Sequence, residues 1–111
     1  MATKLSWQQA EMLILIGEKS VIAEDVVDEK SAPFWAPPMN HYSTAYSETL
    51  GRWLYIQGAA SVSTMRSLGR RGLIRFLDGY ENLYWCRITE EGRMLIESWR
   101  ESGNWPVEAR I

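Results

Sequence analysis

The chain has 111 residues, 46% of them apolar, with 14 acidic and 12 basic side chains and a formal net charge of −2. That is enough apolar material for one domain with its own core, and the single cysteine, Cys86, excludes an internal disulfide, so a reduced and packed thiol is expected. No apolar run reaches membrane-spanning length and the first residues lack the basic-then-apolar plan of a secretion leader, which predicts a cytoplasmic protein with no membrane partner.

Taken in chain order, Ser6-Trp-Gln-Gln9 has the spacing of a capping box, with Leu5 placed to act as a staple. The helix that follows carries Trp7, Ala10, Met12, Leu13, Ile14, Leu15 and Ile16, apolar almost all round. Such a helix is buried on more than one side, in the domain core or in a dimer interface; Gly17 is expected to end it. Glu18 to Lys30 sets Val21, Ile22, Val26 and Val27 among acids, a pattern open to a short helix, a strand or an irregular segment. Pro33, Pro37 and Pro38 then rule out a continuous helix, and Phe34 and Trp35 between them are expected to be pinned onto the core. Residues 18–43 therefore form a Pro- and Trp-containing insertion within a single domain spanning 1–111.

Thr44 to Gln57 places Tyr46, Leu50, Trp53, Leu54 and Ile56 at largely helical spacing, predicting a helix despite Gly51 in its interior. Gly58 would form the turn into a second helix from about Ala60. There Val62, Met65 and Leu68 share one side, while Ser63, Arg66, Ser67 and Arg70 lie roughly opposite, with Thr64 and Arg71 on a flank. Gly72 is suited to a left-handed stop. Ile74–Leu77 and Leu83–Ile88 suit a hairpin whose loop is Asp78-Gly79 or the longer Asp78–Asn82. Thr89 is the predicted N-cap of a last helix, with Glu90 and Glu91 in its first turn and Met94, Leu95, Ile96 and Trp99 along it; Gly103 ends it.

The run Ser63-Thr-Met-Arg-Ser-Leu-Gly-Arg-Arg-Gly-Leu-Ile74, followed by Tyr84-Trp-Cys-Arg-Ile-Thr-Glu-Glu-Gly-Arg93, resembles the recognition helix, wing and post-wing helix of winged helix-turn-helix regulators, broadly the MarR-like group. Leu68, Arg71, Gly72, Leu73 and Ile74 match that pattern; Ile88 stands before Thr89 where the family has leucine. The resemblance covers about the second half of the chain. It implies a mainly α fold with a small β-hairpin, of winged helix-turn-helix type, that binds double-stranded DNA and regulates transcription as a homodimer. It also implies that helices flanking the domain carry the dimer contact, for which Trp7, Leu95 and Trp99 are the candidates.

Charge placement agrees with that implication. Residues 1–60 hold four basic and seven acidic side chains, whereas 61–75 alone hold four arginines and no acid, so a polyanion meets a cationic stretch on an acidic chain. The expected DNA-binding set is Ser61, Ser63, Thr64, Arg66, Ser67, Arg70 and Arg71 on the second helix of the pair, with Arg75 and Arg87 on the hairpin reaching the sugar-phosphate backbone. Arginine can bond guanine edges in pairs, and hydroxyls can hold phosphates. The plain alternative is a solvated face whose arginines complement a helix C-terminus, and Arg71 is equally suited to packing its stem. Asp78 and Glu81 at the hairpin tip would repel phosphate, although Tyr80 and Asn82 could reach a minor groove.

An enzyme is not expected: His41 is the only histidine, and no Cys/His set suggests zinc, so neither metal nor cofactor is implied. The six tryptophans suit core or interface better than a ligand pocket. A second function is a winged-helix protein-interaction module that does not bind DNA, docking a protein partner through the segment 31–42, where Phe34 and Trp35 lie.

Overall fold

The computed structural model describes residues 4–19, 42–76 and 86–106. The chain first becomes regular at Ser6, whose backbone N–H donates to Gln9 Oε1 (3.0 Å) while Gln9 N–H donates to Ser6 Oγ (3.3 Å). This reciprocal cap satisfies two helix-end donors, and it starts α1 (Trp7–Lys19). Ala10 through Ile16 are all buried. Every side of α1 is covered because it contacts the second and third helices and one strand of each hairpin. Gly17 does not end the helix, which continues to Lys19. Its missing side chain instead lets β4 and α3 come close, since a Cβ there would lie 3.2 Å from both Ile88 Cδ1 and Ile96 Cδ1.

The segment expected as a helix over 44–57 is an antiparallel hairpin of β1 (Tyr42–Ser47) and β2 (Arg52–Gln57). Its register pairs Ala45 with Leu54, Tyr46 with Trp53 and Thr44 with Tyr55. Side chains alternate across a strand pair, so Leu54 is buried with Ala45 packed on the core, while Tyr46, Trp53 and Tyr55 are exposed. Gly51, at φ +68°, is the left-handed residue of the turn, and its N–H donates to Ser47 O (2.8 Å). A carboxylate from α1 fixes that turn: Glu18 Oε1 accepts from Ser47 Oγ (2.8 Å) and from Thr49 N–H (2.7 Å). Beside it, Arg52 donates to the buried Glu11 (3.0 Å). The hairpin is held to α1 by two carboxylates that local pattern reading of residues 44–57 does not see.

Helix α2 (Gly58–Arg70) follows β2 with no intervening residue, so Gly58 opens the helix and no helix adjoins α2 on its N-terminal side. Its end is a Schellman arrangement: Gly72 takes φ +74°, its N–H donates to Gly69 O (3.1 Å), and Leu73 N–H donates to Leu68 O (3.1 Å). Leu68 and Leu73 are both buried, the apolar contact that accompanies this cap. Strands β3 (Ile74–Phe76) and β4 (Cys86–Ile88) pair antiparallel, Ile74 opposite Ile88, Arg75 opposite Arg87 and Phe76 opposite Cys86. The expected hairpin tip, 77–85, and the insertion from 20 to 41 lie outside the described residues.

Thr89 joins the last elements. Its N–H donates to Leu73 O (3.0 Å), its hydroxyl donates to Gly72 O (2.7 Å) and accepts from Gly92 N–H (3.1 Å), and α3 (Glu90–Ser102) begins there. Gly103, at φ +74°, closes α3 by donating to Trp99 O (2.9 Å). The fold is thus a small mixed α/β arrangement of three helices and two antiparallel hairpins in its described residues, rather than a mainly α one with a single hairpin. None of its described helices is long and apolar enough to cross a membrane.

Candidate nucleic-acid interface

Burial of Met65 and Leu68 fixes the rotation of α2 and turns Ser63, Arg66 and Arg70 outward, all three exposed. Arg66 and Arg70 are four apart, so they stand one helical turn from each other on a single face. Among the described residues neither has an ion-pair partner. On α3, by contrast, Arg100 is paired with Glu97. Thr64 is half-buried on the flank, and Arg71 is exposed just beyond the helix. Ser61 belongs to α2, but its side chain lies outside the described set.

Ser67 has a role that the helical wheel does not reveal. Its Oγ accepts from Gln9 Nε2 (2.9 Å) and from Arg71 Nε (3.4 Å). The same Gln9 that caps α1 therefore ties α1 to α2, and Arg71 is drawn back along the helix. Ser67 is thus a positioning element between the two helices, with its proton still able to serve another acceptor.

The second hairpin places Arg75, exposed, and Arg87, half-buried, at directly opposed register positions. Their side chains share a face of the sheet, where like charges repel. The Arg87 guanidinium has its pKa pushed down, first by burial and then by the charges of Arg75 and Arg93. Arg93, exposed in the first turns of α3, is the cation that sequence reading passed over. The signal for it was the Thr89 cap: a helix starting one residue after β4 brings its fourth residue back beside the strand.

The residues expected at a dimer surface divide. Trp99 is buried and meets Trp105 at a tilt, with ring centroids 6.2 Å apart and planes at 59°. Leu95 is half-buried against the core, and Trp7 is exposed. Trp99 is thus committed to the protein's own interior, because α3 turns the face carrying Ile96 and Trp99 inward.

Cys86 is fully buried in β4, and desolvation pushes its thiol up to about 12 from 9.0. A thiolate is the reactive form, so at pH 8 the native protein holds roughly a thousandfold less of it than an exposed cysteine would. Alkylation by iodoacetamide at pH 8 is expected to be slow in buffer and to speed up at least a hundredfold in denaturant; equal rates would show that the thiol is accessible. The unfolded state loses this proton first, so the group's contribution to stability is present below about pH 9 and falls as the pH rises towards 12. Among the described residues no three His, Cys, Asp or Glu side chains are grouped to hold a metal ion.

Comparison of the chain with protein-family models, with curated proteins and with solved structures finds no match.

Proposed function

We propose that the protein binds double-stranded DNA through the outer face of α2 and regulates transcription by occupying its site. The observation that carries this reading is the pair Arg66 and Arg70, exposed one turn apart on a helix whose opposite side is locked into the core. A helix of this width enters a major groove, where a guanidinium can donate two parallel hydrogen bonds to a guanine edge. Ser63 on the same face supplies a hydroxyl for a phosphate. Arg75, Arg87 and Arg93 add a second cationic group on the hairpin and α3, and a phosphate among them would relieve their mutual repulsion. The helix is presented by a hairpin and by α1 instead of by an adjoining helix, so the scaffold differs from the usual helix-turn-helix while the exposed face serves the same chemistry.

Changing Arg66 and Arg70 together to alanine is expected to weaken duplex binding at least tenfold at low salt. It should also flatten the dependence of log K on log salt by about two contacts' worth of counterion release, roughly 1.8 in slope. Fluorescence anisotropy with mixed-sequence duplexes over a salt series measures both. An affinity and slope that do not change remove α2 from the interface. Wild-type protein that binds no duplex at low salt removes the function and leaves the non-DNA interaction module as the better account.

A further inference from the structure

Of the three arginines at the end of α2, two are free to read a base. Arg66 and Arg70 are exposed, and neither is held by an acid or a hydrogen-bond acceptor among the described residues. Arg71, by contrast, donates to Ser67 Oγ at 3.4 Å. We propose that the protein selects duplexes carrying two guanines on one strand with a single base between them, 5′-GNG-3′, one arginine on each guanine. This inference rests on the DNA reading and adds a sequence to it.

The choice of guanine follows from the donors. A guanidinium offers two parallel N–H groups and no acceptor, and guanine is the one base whose major-groove edge presents two acceptors, N7 and O6. The spacing follows from the helix. Four residues at about 1.5 Å each set the two positions about 6 Å apart along the axis, and they differ by only about 40° around it. Side chains of one length leaving one face carry that separation out to their heads. Stacked base pairs rise about 3.4 Å each, so about 6 Å is close to two steps and well short of three. On adjacent guanines the two cations would stand about 3.4 Å apart, nearer than the helix sets them and with like charges opposed.

The base between the two guanines meets no side chain able to read it. Of the three residues that separate the arginines, Ser67 is taken up by Gln9, Leu68 is buried, and Gly69 has no side chain. A Cβ at Gly69 would lie 2.6 Å from Phe76 Cε2, so that position is turned to β3 and away from the groove. Ser63, exposed a turn before Arg66, is much shorter than an arginine and suits a phosphate at the groove's edge.

Fluorescence anisotropy tests this on the full chain at one salt concentration, with duplexes of about 16 base pairs that are A·T throughout except at the centre. The centres are GNG with each middle base in turn, GG, GNNG and ANA. The GNG duplexes are expected to bind at least tenfold more tightly than the rest and within about twofold of one another. Replacing either guanine by 7-deazaguanine, which removes N7 and leaves the backbone charge intact, should cost about tenfold. Glutamine pairs with the adenine edge, so Arg66→Gln should move the preference at one outer position from guanine to adenine, and Arg70→Gln at the other. A merely structural role would instead lower binding to every duplex alike. Thermal melts of both variants should match the wild type, since both side chains are exposed. Equal affinity for all centres, or a tighter fit to GG or GNNG, overturns the inference and leaves DNA binding in place. Binding to no duplex at all overturns both.

Discussion

Gly92→Ala is expected to lower the stability of the fold by about 2–3 kcal/mol, although alanine is the better helix former by about 1 kcal/mol. A Cβ at this position would lie 2.4 Å from Leu73 O and 2.6 Å from Ile88 Cγ1. The isoleucine could turn aside, but the carbonyl oxygen cannot, because it belongs to the backbone leaving α2 and accepts the Thr89 N–H at 3.0 Å. Relieving the overlap means moving α3 off that strand and stretching the bond that joins them. A thermal melt should show the midpoint lowered by roughly 10–15 °C. An alanine variant as stable as the parent would show that α3 is not seated as closely as described.

The second large effect belongs to Glu11, a carboxylate only 4% exposed whose partner is Arg52, 3.0 Å away. Removing one member of a buried pair strands the other charge, at about 3–5 kcal/mol. Here the arginine side chain keeps 22% of its surface exposed and has a further interaction of its own, so the cost falls below that range: Glu11→Ala is expected to cost about 2–3 kcal/mol. Glu11→Leu combined with Arg52→Leu should recover part of the loss, since replacing both charges removes the desolvation problem along with the attraction. Urea titrations of Glu11→Leu, Arg52→Leu and the double variant give the coupling directly. Additive losses would mean that the pair contributes nothing specific to holding β2 against α1.

What could be read from the chain was what a few neighbouring residues decide. The Ser6–Gln9 cap, the left-handed Gly72, the Thr89 cap and the Gly103 stop each depend on side chains within a turn of one another, and each is found where the sequence places it. The stretch 44–57 was misread because Tyr46, Leu50, Trp53 and Leu54 fit a helical repeat by accident. In the hairpin Tyr46 and Trp53 are instead cross-strand partners on either side of a turn. Gly51 was the available clue, since a glycine inside a helix needs a reason and a left-handed turn supplies one. The deciding contacts, Glu18 to the turn and Glu11 to Arg52, join residues 31 and 41 positions apart, beyond the reach of any local pattern. The same division holds at the candidate site. Arg66 and Arg70 follow from periodicity, while the grouping of Arg93 with Arg75 and Arg87 depends on strand register. The positioning role of Ser67 depends on Gln9, 58 residues earlier.

The placement of α1 has a consequence for biosynthesis. This helix leaves the ribosome before any of its neighbours, yet the strands and helices that shield it extend as far as Trp99. Until those are translated, Met12, Leu13, Ile14, Leu15 and Ile16 have no native surface to hide against. Productive collapse is therefore deferred until β4 and α3 have been translated, and the nascent α1 is a natural client for a chaperone in the interval.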